Sequence, residues 1–388
     1  MSDLLAIAGA RIFDGHDWHD DAALLLEFGM VSAIVPASAV PAHAAMVRLD
    51  GGSLVPGFID LQVNGGGGVL FNNEPSLAGI RTICAAHARF GTTALLPTLI
   101  SDTVAVNMAA IAAGQAAVAH AVPGFIGLHL EGPHLALARK GTHDPALLRP
   151  MDDSDLARLR AARDILPNLL VTVAPEAVTP AQIAALREAG IVVSLGHSDA
   201  SFEMASAAFA AGAGMTTHLF NAMSQLGNRA PGMVGATLHN PSVHAGLIAD
   251  GIHVHPAAIQ IALQAKTGPG RLFLVTDAMS QTGTDLKELT LNGRTITRSA
   301  GALRLADGTL AGADLDMIDA VIFMHSTIGL PIEEAIRMAS LYPAQALGID
   351  DSHGHLAPGA VASFVHLGHD HAVRATWIGG AQVYPRPI

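Results

Sequence analysis

Residues 125–134 read Phe-Ile-Gly-Leu-His-Leu-Glu-Gly-Pro-His, and this stretch decides the fold. Its apolar run from Phe125 to Leu130 is short and sharply bounded, which is typical of a strand buried on both faces. The run ends in a carboxylate, Glu131, and then in Gly132-Pro133, which stops a strand. A carboxylate at the end of a buried strand is costly unless a cation or a hydrogen-bond network compensates it. The sequence therefore predicts such a partner beside Glu131.

Eight apolar runs of this kind recur from Ser53 onward, most of them followed by a polar or Gly-rich tail. The runs are Leu54–Val63, Thr93–Leu99, Phe125–Leu130, Leu169–Ala174, Ile191–Leu195, Met215–Leu219, Ala245–Ala249 and Leu272–Thr276. Most connectors between them are Ala-rich and amphipathic, which predicts helices. Eight strands alternating with helices favour a closed (β/α)₈ TIM barrel over an open doubly wound sheet. No Gly-rich dinucleotide fingerprint follows a strand, which also disfavours the open sheet.

The two ends of the chain have a different pattern. Residues 1–52 alternate apolar and polar side chains in short bursts between turn residues, and residues 351–388 return to strand-like alternation. This pattern predicts short strands. We therefore expect a small β-sandwich domain built from both termini, flanking an α/β barrel of residues 53–350. Late in the barrel region the pattern predicts a hairpin at Leu289–Leu305 and helices at Leu315–Ile328 and Ile332–Leu347.

Composition limits the possible function classes. The chain has 388 residues, of which 50% are hydrophobic and 14% charged, with a net charge of −12. Neither Lys nor Arg forms a run, so we expect no nucleic-acid partner and no acidic membrane partner. The lone Cys84 excludes an internal disulfide and fits a reducing cytoplasm. No signal peptide or membrane-spanning segment is apparent, so we expect a cytoplasmic protein.

Histidine is the unusual component, with 20 in the chain. We expect His16, His19 and His43 to be solvated, since their spacing matches no metal motif. Five more stand in the C-terminal tail, where we expect surface positions, with a fortuitous metal patch as the alternative. These five are His353, His355, His366, His369 and His371.

In a (β/α)₈ barrel the reacting groups come from the C-terminal ends of different strands. Here five predicted strand ends carry Glu131, His197, His218, His253 and Asp277. One such residue alone is more often a hydrogen-bonded rim residue, but five strands are hard to explain in that way. Glu131, His197 and His218 form a set that suits catalytic Zn²⁺, with the fourth position left for water. Asp277 could exchange a proton with that water, which fits metal-assisted hydrolysis of an amide or ester.

Seven motifs along the chain point to a family. They are Pro56-Gly-Phe-Ile-Asp60, His129-Leu-Glu-Gly-Pro133, Lys140-Gly-Thr-His143, Gly196-His-Ser198, Thr217-His-Leu-Phe-Asn-Ala-Met223, Asp250-Gly-Ile-His253 and Val275-Thr-Asp277. From about Ser53 to Leu347 the chain resembles the N-acetylglucosamine-6-phosphate deacetylase family of the amidohydrolase superfamily. The resemblance implies hydrolysis of N-acetyl-D-glucosamine 6-phosphate to D-glucosamine 6-phosphate and acetate, in amino-sugar catabolism. It also implies a homodimer and a divalent metal ion, with Zn²⁺ the expected ion.

The resemblance further implies roles for single residues. Glu131, His197 and His218 would be metal ligands, Asp277 the acid/base, and His143 the partner of the substrate carbonyl. The implied substrate-binding residues are Thr142, His143, Asn221, Ala222, Arg229, His253, Leu310, Ala311 and Gly312.

Two departures at strand ends modify these expectations. Many amidohydrolases place His-x-His after the first strand to hold a second metal, whereas this chain has Gln62-Val-Asn64. Neither side chain is a strong zinc ligand, so we expect one ion per chain. After Gly132-Pro133 comes His134, where the resemblance leads us to expect an aromatic residue, so whether this loop acts as a lid stays open.

Two other functions remain open. The chain could be an amidohydrolase for a different N-acyl amino sugar or N-acyl amino acid, and activity on unphosphorylated substrates would reveal this. It could also be a metal-free relative that serves as a scaffold or binding protein. Such a protein should have lost ligands, whereas this chain keeps Glu131, His197, His218 and Asp277.

Overall fold

The computed structural model describes residues 4–385, and the chain begins with a group of seven strands. These are β1 Leu5–Ala8, β2 Arg11–Phe13, β3 Trp18–His19, β4 Ala22–Glu27, β5 Met30–Pro36, β6 Ala45–Arg48 and β7 Ser53–Pro56. Four of them form a sheet in the order β5-β4-β1-β6. The other three join strands from the far end of the chain.

The centre of the molecule is an eight-stranded parallel sheet. Its first strand is β8, Phe58–Val63, which the short pair β9, Gly65–Gly66, and β10, Val69–Leu70, follows. Its other strands are β11 Thr92–Ile100, β12 Leu128–Glu131, β13 Leu169–Val173, β14 Val192–Leu195, β15 Met215–Thr216, β16 His244–Leu247 and β17 Leu272–Leu274. They pair in chain order, and a parallel bridge between Val63 and Ala278 links the two outer strands. The predicted (β/α)₈ barrel is confirmed.

Helices connect the barrel strands. They are α1 Leu77–Ala88, α2 Val104–Ala119, α3 Asp153–Ile165, α4 Pro180–Glu188, α5 Phe202–Ala211, α6 Gly232–His239 and α7 Pro256–Ala265. Side-chain oxygens of Ser76, Thr103, Asp152, Thr179 and Ser201 accept backbone N–H bonds at the first turns of α1 to α5, which explains where these helices begin. The sequence did not predict α6, because it begins without a side-chain cap, at a Pro-Gly pair that is typical of a turn.

A small antiparallel sheet follows β17 where we expected a hairpin. Its strands are β18 Glu288–Leu291, β19 Arg294–Ser299, β20 Ala302–Leu305 and β21 Leu310–Ala313. Leu291 and Ile296 of this sheet pack with Leu70, Ile100 and Met279 of the barrel. The sheet therefore covers the end of the barrel at which the strands finish.

Three helices come next: α8 Met317–Ser326, α9 Ile332–Ala339 and α10 Leu341–Leu347. We expected one helix over Ile332–Leu347, but Ser340 leaves the helical conformation, with φ −133° and ψ −74°, and divides it. No helix within residues 4–385 combines the length and apolar character needed to cross a bilayer.

The far end of the chain completes the small domain. The strands β22 Phe364–Leu367, β23 Val373–Ile378 and β24 Ala381–Tyr384 extend a second sheet in the order β24-β23-β22-β7-β2-β3. Ile7 and Leu24 of the first sheet share an apolar cluster with Leu54 and Phe364 of the second. The small β-sandwich built from both termini is confirmed. The run predicted at Leu54–Val63 is divided between β7 of this second sheet and β8 of the barrel. The domain limits at residues 52 and 350 stay a prediction.

One expectation for the tail was wrong. His366 is buried in β22, with 7% of its surface exposed, and its Nε2 lies 2.8 Å from the carbonyl oxygen of Gly51. All four residues of β22 are buried because the strand lies inside its sheet, and the Gly51 carbonyl satisfies the ring.

Candidate active site

Four predicted site residues lie at the ends of barrel strands. Glu131 is the last residue of β12, His197 and His218 stand two residues after β14 and β15, and Asp277 stands three after β17. His197, His218 and Asp277 have φ values of 48°, 27° and 51°, a left-handed conformation that costs non-glycine residues free energy. All four side chains are buried. The fold therefore holds these residues in a conformation that their own backbone preferences disfavour, as is common at functional sites.

Glu131, His197 and His218 form a compact triangle of donor atoms. Oε1 of Glu131 lies 3.3 Å from Nε2 of His197 and 3.2 Å from Nε2 of His218. The two Nε2 atoms are 3.1 Å apart. Donors about 2.0–2.1 Å from a zinc ion, at tetrahedral angles, lie about 3.3–3.4 Å from one another. The triangle therefore fits three corners of a tetrahedral metal site.

His143 is a second candidate ligand on the edge of this triangle. Among the described residues, Glu131, His143 and His197 also offer ligand atoms within 4.8 Å of one another. However, Nδ1 of His143 lies 3.3 Å from the backbone N–H of Ser101, which can only donate, and 2.8 Å from Oγ of the same residue, so we assign Nδ1 as the acceptor and the ring proton to Nε2. A protonated Nε2 cannot bind a metal, but it can donate a hydrogen bond to a carbonyl oxygen. The expected role of His143 beside the substrate carbonyl suits this arrangement.

His197 has the opposite tautomer. Its Nδ1 lies 2.9 Å from the carbonyl oxygen of Arg139, which can only accept, so the proton is on Nδ1. Its Nε2 therefore directs a lone pair at Glu131 and His218, as a metal ligand must. Nδ1 of His218 is buried without a hydrogen-bond partner among the described residues.

The charges of the site are strongly coupled. Burial pushes the pKa of Glu131 upward, but the close contacts of its carboxylate with His197 and His218, together with the charges around it, hold this pKa well below its usual value. For His218, burial lowers the pKa, but the hydrogen bond to Glu131 and the negative charges of Glu131 and Asp277 together raise it above its usual value. Burial and the neighbouring His197 lower the pKa of His143 well below its usual value, so that its ring is neutral. The ionised carboxylate of Glu131 is thus available as a metal ligand, and the neutral ring of His143 stands beside it.

Gln62 and Asn64 do not act as ligands in this geometry but as donors to the carboxylates. Nε2 of Gln62 donates to Oε1 of Glu131 over 2.9 Å, and Nδ2 of Asn64 donates to Oδ1 of Asp277 over 2.7 Å. Burial, and next the charge of Glu131, raise the pKa of Asp277 to about 6. A carboxylate with such a pKa can take and return a proton near neutral pH.

A cavity of about 530 Å³ opens above these groups. Most of the predicted substrate-binding residues line it: Thr142, His143, Asn221, Ala222, His253, Leu310 and Gly312. Ala311 does not line it, because its side chain packs into the core of the covering sheet. Arg229 also does not line it and is exposed in the loop before α6. The structure therefore brings together the predicted residues except these two.

His134 lies apart from this cavity. Its ring is buried, its Nδ1 lies 3.1 Å from the carbonyl oxygen of Arg149, and it faces a separate cavity of about 240 Å³. Gly132 lets the chain turn away after Glu131, because it has φ 83° and a Cβ there would stand 2.1 Å from Oγ of Ser101. Nothing in this placement puts His134 over the substrate cavity.

Sequence reasoning missed several residues of the cavity wall. Arg139 and Arg304 line it, as do Ile100, Ile248 and Thr309. Arg304 and Thr309 come from the covering sheet and its turn, which the pattern showed only as a hairpin. The sequence feature that could have pointed to the two arginines is the scarcity of Lys and Arg, which number 21 among 388 residues.

Residues 53–383 match the sequences described as the Amidohydrolase family. The chain belongs to this family. It is 41% identical over 386 residues to an N-acetylgalactosamine-6-phosphate deacetylase of Shewanella sp. (strain ANA-3), covering 99% of this chain and 97% of the relative. It is 33% identical to the N-acetylglucosamine-6-phosphate deacetylase of Haemophilus influenzae, covering 97% and 98% of the two chains.

Solved structures of deacetylases are similar to this chain over almost its whole length. The N-acetylglucosamine-6-phosphate deacetylase from Pasteurella multocida superposes with a TM-score of 0.94 at 33% identity, over 98% of this chain and 99% of the other. A mutant of the enzyme from Mycobacterium smegmatis, in complex with N-acetyl-D-glucosamine-6-phosphate, has a TM-score of 0.90 at 33% identity, over 98% and 100%. The predicted family and its barrel are confirmed.

Proposed function

We propose that this amidohydrolase deacetylates N-acetyl-D-glucosamine 6-phosphate to D-glucosamine 6-phosphate and acetate, in amino-sugar catabolism. The observation that carries the proposal is the donor triangle of Glu131, His197 and His218 at the wall of one cavity with Asp277. Relatives named as deacetylases of N-acetylated hexosamine 6-phosphates match almost the whole chain, which supports the same substrate class.

The chemistry needs one divalent ion, and we propose Zn²⁺ held by Glu131, His197 and His218. Such an ion, when bound, acidifies water and polarises a carbonyl oxygen. His143 donates a hydrogen bond from its Nε2–H to the acetyl oxygen, where negative charge develops as the amide is attacked. Ser101 keeps that proton on Nε2 by donating to Nδ1.

Asp277 moves the proton that the reaction requires. It takes a proton from the attacking water and gives it to the departing nitrogen, because an amide nitrogen leaves poorly as an anion. Asn64 fixes the carboxylate by its hydrogen bond to Oδ1. With a pKa of about 6, Asp277 is ionised and ready to act as a base above that pH.

The remaining predicted residues bind the sugar phosphate in this proposal. In this proposal the sugar phosphate contacts Thr142, Asn221, Ala222, His253, Leu310 and Gly312, which line the cavity. Nδ1 of His253 lies 2.6 Å from Oδ2 of Asp250, which orients the ring. We also propose a cytoplasmic homodimer in which Arg229, exposed and outside its own cavity, reaches the cavity of the second copy.

The test is acetate release from N-acetylglucosamine 6-phosphate beside unphosphorylated N-acetylglucosamine, on protein with known metal content. We expect the phosphorylated sugar to be the better substrate by a wide margin. Equal rates on both sugars, or faster release from an N-acyl amino acid, would contradict the proposal.

N-acetylgalactosamine 6-phosphate is the second candidate substrate. A specific observation favours it, since a relative with 41% identity carries that name. The two sugars differ only in the orientation of the hydroxyl on C4, so the same acetamide chemistry serves both. Measuring kcat/KM for both epimers under the same conditions decides between them, and a clear preference for the galactose epimer would change the substrate but not the site.

A further inference from the structure

The position of the substrate phosphate follows from the sugar itself, and the argument rests on the proposed function. The acetamide nitrogen is on C2, and the phosphate is carried through C6 on C5. These two carbons stand opposite each other in the pyranose ring. When the acetyl group lies beside the buried Glu131 and Asp277, the phosphate therefore points away from them, toward the exposed part of the cavity.

Two arginines line the cavity, and only one is free of a carboxylate partner. Arg139 is tied to Asp199, with both Nε and Nη2 at 2.8 Å from Oδ1. Arg304 makes one hydrogen bond, from Nη1 to the carbonyl oxygen of Gly308 over 3.1 Å. Within residues 4–385 no acidic side chain forms an ion pair with Arg304. Its remaining N–H groups are available to an anion.

Arg304 stands on a well-supported part of the covering sheet. It lies in β20, paired in register with Leu310 of β21, which lines the same cavity. Leu303, beside it, is fully buried in the apolar core that joins this sheet to the barrel. A further arginine, Arg294, donates from Nη2 to the carbonyl oxygen of Thr142 and so ties the sheet to the loop that carries His143. The exposed guanidinium of Arg304 is thus presented to the cavity from a packed wall.

We infer that Arg304 binds the 6-phosphate of the substrate from within the same chain. A phosphate monoester is close to a dianion at neutral pH, and a guanidinium meets its oxygens with two parallel hydrogen bonds. His253 already has a carboxylate partner, since its Nδ1 lies 2.6 Å from Oδ2 of Asp250. Arg229 lies outside the cavity of its own chain, so its role depends on a second copy, whereas that of Arg304 does not.

The test compares Arg304→Gln with Arg304→Lys, Arg229→Gln and Arg81→Gln. Arg81 is exposed on α1 outside the cavity, and its substitution makes the same change in net charge. KM and kcat are measured for N-acetylglucosamine 6-phosphate and N-acetylglucosamine, and thermal unfolding verifies the fold. Calorimetric binding of D-glucosamine 6-phosphate and D-glucosamine gives a second readout that requires no turnover.

In Arg304→Gln we expect binding of the phosphorylated sugars to weaken by about ten- to a hundredfold, since hydrogen bonds to charged groups are the strong ones. KM should rise with little change in kcat, and the unphosphorylated sugars should be unaffected. The KM of Arg304→Lys for the phosphorylated sugar should lie between those of the wild type and Arg304→Gln, and Arg81→Gln should match the wild type.

Equal losses on both sugars, or an Arg304→Gln variant indistinguishable from Arg81→Gln, overturn the inference. Loss in Arg229→Gln alone would place the phosphate cation in the second copy. A wild type that binds D-glucosamine 6-phosphate but releases no acetate would overturn the proposed function and leave the Arg304 comparison decisive.

Discussion

The carboxyl end of the barrel and the terminal β-sandwich are both rich in histidine, but only the first brings its histidines together. His197 and His218 follow different strands and still place their Nε2 atoms 3.1 Å apart. In the tail, His366 of β22 bonds the carbonyl oxygen of Gly51, while His369 is exposed. Among the described residues, no group in the β-sandwich has three ligand side chains close enough to hold an ion.

The difference arises from strand direction. In a closed parallel sheet, every strand ends at the same rim, so residues that follow different strands converge on one point. Most strand pairs of the β-sandwich are antiparallel, apart from β1 with β6 and β2 with β7. Antiparallel strands end alternately at opposite edges, and their turn residues face solvent. The number of histidines in a region therefore says little about metal binding, whereas their position after parallel strands says a great deal.

The strongest test of this comparison removes two histidines of the barrel rim and one of the tail, each in a separate variant. His218→Ala should lose the metal and reduce acetate release below detection, because two of three ligands cannot hold the ion. His143→Ala should keep the ion while slowing the reaction, since Ser101 forces the proton onto Nε2. His369→Ala should match the wild type. Metal content and rate on each purified variant are the measurements, and loss of the metal from His143→Ala would mean that the ligand set is misassigned.

Asp277→Asn separates proton transfer from metal binding within the barrel rim. The amide keeps the size and polarity of the side chain but cannot exchange a proton. General acid–base catalysis contributes roughly a hundred- to ten-thousandfold, so kcat should fall by about that factor while metal content stays unchanged. Near-normal turnover in this variant would move the proton transfer to another group, with His143 the first to examine.

Asp60 shows what happens to a buried carboxylate of the barrel without a cation. Burial raises its pKa to about 7, even though Oδ1 accepts from the backbone N–H of Gln62 and of Thr276. Because the folded-state pKa lies above the usual 3.8, Asp60 stabilises the fold at low pH and loses this contribution as pH rises through about 7.

Asp60→Asn should remove this pH-dependent loss of stability. An Asn side chain can accept the two N–H bonds and donate to Oγ1 of Thr276, so the fold should remain. Between about pH 5 and about pH 8, the free energy of unfolding of the wild type should fall relative to the variant by on the order of 2–3 kcal/mol. Denaturant unfolding of both proteins with saturating metal measures this, and parallel pH curves would show that Asp60 is ionised throughout.

Much of the barrel rim could be predicted from sequence, because each functional residue stands at the end of an apolar run or within two residues after it. Glu131, His197, His218 and Asp277 all have this signal. The tautomers of His143 and His197 could not be predicted, since they depend on whether an N–H or a carbonyl faces Nδ1.

The hairpin at Leu289–Leu305 was predicted, but the position of the covering sheet at the cavity was not, for a similar reason. Its strands alternate clearly enough, but which face meets the cavity depends on how Leu291 and Ile296 pack against the barrel. The sequence alone therefore does not distinguish Arg304 from a surface arginine. The helix α6 was missed because Pro231 and Gly232, which begin it, favour a turn in isolation.

The most direct test of the account is the number of metal ions that activity requires. Metal-free protein is titrated with Zn²⁺ while acetate release from N-acetylglucosamine 6-phosphate and the fold are followed on the same sample. With Gln62 and Asn64 bonded to the carboxylates instead of offering a second ligand pair, activity should rise linearly and level off at one ion per chain. A plateau only at two ions, or full activity in protein stripped of metal, would contradict the single site formed by Glu131, His197 and His218.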